Sequence, residues 1–291
     1  MLAHHIEKGA DLTVATIPVE KESVPGFGIM QMNDSNEITR FEEKPQDPSL
    51  QEELKLPKDW YPKLDIHSDK ELWLASMGIY VFNRQTILEL LDNAHTDFGK
   101  HIIPGAIKTH KLSSYVFQGY WEDVGTIKAF FDANLDLTSM LPKFNFFDMD
   151  SPVFTRPRFL PASKVNGGVI ENTLLSDGCI VHKARLKECM LGIRSIVGAD
   201  TDMQRVVMMG ADYYESLQSI AKHQEEGEPS VGIGPRTRVV NAIIDKNARI
   251  GSDCVISPDG KPNEMDSELF HVRDGIIVIP KNTVIPNGTV I

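Results

Sequence analysis

Apolar and polar positions change their rhythm about halfway along the chain. Leu2, Ile6 and Ala10 recur at helical spacing, with Gly9 near the end of that helix, and Leu12 to Val19 then alternates as a strand does. Ile29 to Met32 and Glu37 to Glu43 read as two strands joined by the polar turn Asn33-Asp34-Ser35-Asn36, which predicts a hairpin. Gln46 to Lys70 is charged and broken by prolines, and reads as a surface loop or irregular insertion. Trp73 to Phe82 is a buried strand by pattern. Asn83 is placed to cap a helix whose core face is Ile87, Leu90, Leu91 and Ala94. A short element follows at His101 to Ile107, then a strand at Ser114 to Gln118. Thr126 is placed to cap a helix with Ile127, Phe130, Phe131 and Leu135 inside.

The second half has a six-residue period. Ile244, Ile250 and Ile256 stand six apart, as do Ile279, Ile285 and Ile291, with Val278, Val284 and Val290 beside them, and Leu174, Ile180 and Leu186. Six is even, so these residues share one face of an extended chain. On a helix six residues turn about 600°, which scatters them. The period selects strands, and repeats of this length indicate a parallel β-helix. Gly210 to Glu228 and Ser257 to Asp274 interrupt it and read as loops. The division is therefore 1–141 for an α/β domain, 142–162 for a proline-rich linker, and 163–291 for the β-helix.

Composition narrows the function. The chain has 291 residues, enough for two domains, with 41% hydrophobic and 24% charged residues. A net charge of −11 makes nucleic acid and anionic membranes poor partners. No apolar run approaches the roughly 20 residues of a membrane helix. Met1 to Lys8 lacks the apolar core of a signal peptide, so a cytoplasmic location is expected. Cys179, Cys189 and Cys254 have no zinc spacing and read as buried, reduced thiols.

The segment Phe41-Glu42-Glu43-Lys44-Pro45 carries the chemistry. Pro45 cannot donate to a sheet ladder, so the strand should end there and leave Glu43 and Lys44 at an edge or mouth. A carboxylate accepts from neighbouring sugar hydroxyls, and an ammonium beside it can hold a phosphate. The pair suits a sugar phosphate. The plain alternative is two solvated charges at a strand end.

With this segment, Gly28, Ala75-Ser76-Met77-Gly78-Ile79-Tyr80, Asp97-Phe98-Gly99, Tyr120-Trp121-Glu122-Asp123-Val124-Gly125-Thr126, Thr155-Arg156-Pro157-Arg158-Phe159-Leu160-Pro161, Met209-Gly210-Ala211-Asp212-Tyr213-Tyr214 and Ile243 to Gly251 resemble the glucose-1-phosphate adenylyltransferases (ADP-glucose pyrophosphorylases). The resemblance covers nearly the whole chain. It implies a partial Rossmann-like nucleotidyltransferase domain followed by a left-handed parallel β-helix. The implied reaction joins ATP and glucose 1-phosphate to give ADP-glucose and diphosphate in glycogen or starch synthesis. The implied cofactor is Mg²⁺, and the implied assembly is a homotetramer regulated by small anionic effectors.

The resemblance also assigns roles. Lys44 goes to the sugar phosphate, Glu43 to the glucose hydroxyls, Gly28 to close backbone approach, Ser76 to a hydroxyl contact, and Asp97 to a sugar or supporting contact. Asp123 matches one of two aspartates that hold Mg²⁺. Asp123 and Lys44 are thus the implied catalytic residues. Lys281 and Arg273 fall where an effector anion would bind, whereas Glu225-Glu226-Gly227-Glu228 replaces a basic effector segment with acid. Each role has a bland counterpart: a turn for Gly28, a small core residue for Ser76, a helix cap for Asp97 or Asp123, a solvated turn for Lys281. The family's Gly-rich nucleotide loop and second aspartate are not found before Leu12. The chain is therefore expected to begin within the catalytic domain and to lack ADP-glucose synthesis alone. Two other functions stay open: a non-catalytic regulatory or assembly polypeptide, and a hexapeptide-repeat acyltransferase using His182 or His271.

Overall fold

The computed structural model describes residues 1–291, which form two compact units, Met1–Gly119 and Tyr120–Ile291. In the first, β1 (Leu12–Val19), β2 (Gly28–Met32), β3 (Ile38–Glu43), β4 (Trp73–Phe82) and β5 (Leu112–Val116) make one sheet in the order β3-β2-β4-β1-β5. β1 and β5 are parallel, and the other neighbours are antiparallel.

Alternation along the strands divides the core between two faces. Met30 and Leu74 pack with Leu12, Val14, Ile103 and Leu112. Ile29, Trp73 and Ala75 pack on the other side with Val24 and Leu54. Both faces are covered, which is why β4 begins as a continuous apolar run. Its second half is not buried: Gly78 and Ile79 are exposed.

The expected loop over 46–70 is instead built structure. A helix at Pro48–Glu53 and two short turns, Lys58–Trp60 and Pro62–Leu64, occupy it. Leu54, Leu56 and Tyr61 are buried. The buried Gln51 side chain donates to Pro45 O, Trp73 Nε1 donates to Gln51 O at 2.6 Å, and Tyr61 Oη accepts from the Leu72 N–H at 2.9 Å. Sparse hydrophobics among charges hid this lid over the sheet.

The helix after Asn83 also differs from the pattern. It spans Arg84–Leu91, buries Thr86, and leaves Leu91 and Ala94 exposed. Asn83 makes no side-chain cap there. Its amide donates to Ala10 O and its carbonyl faces the buried His5, tying the first helix, Leu2–Lys8, to the sheet.

The second unit is the expected parallel coil. Lys164 pairs with Ile180 and Ile180 with Ile196; Val197 then pairs with Ile233, and Arg249 with Gly232 and Val284. Ile244, Ile250, Ile256, Ile279 and Ile285 are fully buried along its axis, together with Cys179, Cys189 and Cys254. In the first turns the period slips: Ile180 is exposed and its neighbour Val181 is buried. Corners recur as residues of left-handed backbone. Asn172, Glu188, Arg205 and Asn241 form one ladder, with φ of 44°, 53°, 54° and 52°. Short polar side chains tolerate that region best.

Both interruptions of the period contain structure. Within 210–228 lies a helix, Leu217–Glu226, capped by Ser216 Oγ, which accepts from the Ser219 N–H, and closed by Gly227 at φ 75°. Within 257–274 lies an antiparallel hairpin, Glu264–Asp266 with His271–Arg273. Thr126 caps the helix Ile127–Asp136 as read from the sequence, accepting from the Ala129 N–H. The buried Phe131 and Leu135 of that helix pack on Val207, Ile243 and Ile276 of the coil. The expected boundary at 141 falls after this helix, which by packing belongs with the coil. Residues 142–162 contain no helix or strand. No helix is long and apolar enough to cross a membrane.

Candidate functional site

β3 is an edge strand and ends at Glu43. Its last pair sets Glu43 opposite Gly28, the first residue of β2. Lys44 turns away in left-handed backbone, φ 49°, while its N–H donates to Phe27 O at 3.0 Å. Pro45 then closes the strand. Lys44 is exposed, so its ammonium is free to meet a phosphate in solvent.

Pairing of Ile29 with Ala75 brings Ser76 alongside Gly28. Ser76 is buried, accepts from the Gly78 N–H at 3.3 Å, and lies 3.5 Å from Tyr80 Oη. Tyr80 stacks on Phe98 at 5.8 Å. Burial pushes the Tyr80 hydroxyl above its ordinary pKa, and the charges of Glu43 and Asp97 push the same way. Tyr80 therefore stays protonated and can donate. Asp97 caps the helical turn Phe98–Ile102, accepting from the Lys100 N–H at 2.9 Å. That bond, more than the nearby Lys100 charge, holds its carboxyl below the usual range, so it is ionised at neutral pH.

Glu43, Gly28 and Ser76 thus stand in a row across β3, β2 and β4, with Asp97 near enough for its charge to act on Tyr80. Two members of the cluster were not picked out from the sequence: Tyr80 and Gly99. A Cβ on Gly99 would stand 2.3 Å from Glu43 Oε2, and a Cβ on Gly28 would stand 2.8 Å from the same oxygen. The Glu43 carboxylate is therefore flanked by two residues without side chains, and it makes no side-chain hydrogen bond or ion pair of its own. The signal was available, since Tyr80 and Gly99 stand in the quoted segments, but a glycine's neighbour across the fold is not visible in sequence.

Asp123 lies in the second unit, in an exposed turn where Oδ1 accepts from the Gly125 N–H at 3.1 Å. A single exposed carboxylate suits Mg²⁺ only when phosphate oxygens and waters complete the shell. Trp121 is half-buried beside it.

The two effector candidates are each committed to acid. Arg273 is held on its own hairpin by Asp266 at 2.5 Å and Glu264 at 3.5 Å. Lys281 pairs with Asp212 at 3.1 Å, and Lys246 pairs with the same carboxylate at 3.2 Å. The Asn247 amide donates to Asp212 at 3.0 Å. Asn247 first, then Lys281 and Lys246, draw Asp212 down to about 2 from an ordinary 3.8. A depressed carboxylate contributes stability that is complete above its unfolded value and disappears as pH falls through the folded one. The stability difference between the wild type and Asp212→Asn should therefore be constant above about pH 4 and shrink between about pH 4 and pH 2. Denaturant midpoints measured across that range check this, and a difference unaffected by pH counts against it. Of the acyltransferase candidates, His182 is exposed, and His271 is held by Asp266 at 2.7 Å.

Comparison with known families gives two matches. Residues 1–140 match the model described as nucleotidyl transferase, and residues 158–290 match the GLGC left-handed parallel beta-helix domain.

Proposed function

By its nucleotidyl transferase domain and GLGC-type left-handed β-helix the chain belongs with the glucose-1-phosphate adenylyltransferase-type proteins, and from that premise we propose that the edge around Glu43 binds glucose 1-phosphate for adenylyl transfer from ATP. The observation that carries this reading is the Glu43 carboxylate. It is unpaired and flanked by glycines, with the Lys44 ammonium one residue on. An unpaired carboxylate accepts from two adjacent hydroxyls, and glycines let a pyranose ring come close to the backbone. Tyr80 and Ser76 add hydroxyls on the β4 side.

In the transfer, the sugar phosphate attacks the α-phosphorus of the nucleotide and diphosphate leaves. Little covalent chemistry falls to the protein, so orientation and charge neutralisation dominate. Lys44 would neutralise the attacking phosphate, while Glu43 and Tyr80 fix the ring behind it. Asp123 is the residue that would hold Mg²⁺, which supplies charge neutralisation on the phosphates when bound. The same reading includes a homotetramer and small anionic effectors; an anion arriving at Lys281 would compete with Asp212.

Calorimetric titration tests the reading. Glucose 1-phosphate should bind, unphosphorylated glucose should bind far more weakly, and Glu43→Ala should abolish discrimination between glucose 1-phosphate and galactose 1-phosphate. Equal binding of both sugar phosphates by the wild type would overturn it.

A further inference from the structure

Glu43 needs something to aim it. It makes no side-chain hydrogen bond, so the usual means of fixing a carboxylate rotamer is missing. The side chain is only half-buried and lies on an edge strand. Free rotation would spread its oxygens over several positions at a cost in binding, because ordering a glutamate side chain loses rotamer freedom.

The surface that limits it is Gly99. The three atoms nearest to a Cβ built there all belong to Glu43: Oε2 at 2.3 Å, Cδ at 2.8 Å and Cγ at 3.5 Å. The backbone carrying Gly99 is pinned on both sides. Asp97 caps the turn through the Lys100 N–H. Phe98 packs on Tyr80 at 5.8 Å and on Phe82 at 6.0 Å. Gly99 does not have a positive φ, so alanine would fit its backbone without strain. An added methyl would thus displace the Glu43 carboxylate and leave the turn in place.

We propose that Gly99 is a positioning residue for sugar-phosphate binding: the bare backbone at the start of the Phe98–Ile102 turn is the wall against which the Glu43 carboxylate is aimed. The inference rests on the glucose 1-phosphate reading of the Glu43 edge and adds the element that sets its specificity. Gly28 cannot be tested in the same way. Its Cβ would meet the buried Phe41 ring at 2.4 Å, so alanine there disturbs the core as well.

The experiment is a mutant cycle on the intact protein, with glucose 1-phosphate binding followed by calorimetry and folding by thermal midpoint. Gly99→Ala is expected to keep the wild-type midpoint and weaken glucose 1-phosphate binding by about 10- to 100-fold, the scale of losing hydrogen bonds from the sugar hydroxyls to a charged carboxylate. ATP affinity should not change. In a Glu43→Ala background, Gly99→Ala should cost almost nothing further, because a residue acting through Glu43 has nothing left to act on. Glu43→Asp, one methylene shorter, should restore part of the loss when combined with Gly99→Ala. If Gly99→Ala costs as much without Glu43 as with it, or binds as the wild type does, the positioning role is overturned. If Glu43→Ala itself leaves binding unchanged, the glucose 1-phosphate reading of this edge fails, and the positioning role with it.

Discussion

Lys44→Ala is expected to weaken the apparent affinity for glucose 1-phosphate by about 10- to 150-fold, while the apparent affinity for ATP changes far less. A charge-assisted contact to phosphate contributes roughly 1.5–3 kcal/mol, and that range converts to this fold-change. The substitution is a clean one. Lys44 is exposed and its side chain has no partner within the chain. Its left-handed φ strains lysine and alanine alike. Steady-state kinetics of the intact enzyme with each substrate varied in turn makes the comparison. Equal losses for both substrates would show that Lys44 serves the nucleotide, or the fold, rather than the sugar phosphate.

Arg249→Ala should destabilise the β-helix unit by about 3–5 kcal/mol, the usual result of leaving one member of a buried ion pair alone. Arg249 Nη2 lies 2.7 Å from Glu215 Oε1, and the two side chains are only 11% and 4% exposed. Arg249 Nη1 also donates to Pro229 O at 2.9 Å. Glu215 Oε2 accepts from the Val231 N–H at 2.7 Å, and His223 Nδ1 stands 3.0 Å from Oε1. The network ties both ends of the 217–226 helical insertion to the coil strand at Arg249–Ile250. Without the guanidinium, Glu215 keeps a buried charge with only the His223 imidazole and the Val231 N–H beside it. Urea denaturation measures the loss. The double variant Arg249→Met, Glu215→Leu should recover much of it, since apolar replacement of both partners removes the desolvation cost. A loss below about 1 kcal/mol for the single variant would mean that water reaches the pair.

These two sites differ in how far they could be read in advance. Lys44 was legible because proline ends a strand by its own covalent geometry, and the charge pair in front of it had no other place to go. The period of six was legible for the same kind of reason: only an extended chain keeps every sixth residue on one face, and Ile244, Ile250 and Ile256 are all fully buried. Thr126 announced a helix through a cap that depends on its immediate neighbours alone. Glu215 and Arg249 were silent. Their pairing closes over 34 residues and across an insertion whose polar surface looked like a loop.

Local rules therefore determined the strands, the coil, the stop at Pro45 and the charges placed beside it. Tertiary structure decided which of the polar stretches fold down: the 46–70 lid through Leu54 and Tyr61, and the 217–226 helix through Glu215. It also decided that Lys281 faces Asp212 and that Gly99 abuts Glu43. The physical reason is the range of the forces involved. Backbone sterics, capping and side-chain alternation act within a few residues and leave a pattern in the sequence. Close approach of a bare backbone to a distant carboxylate, or burial of a charge against a distant partner, depends on packing that brings remote segments together, and no local pattern records it.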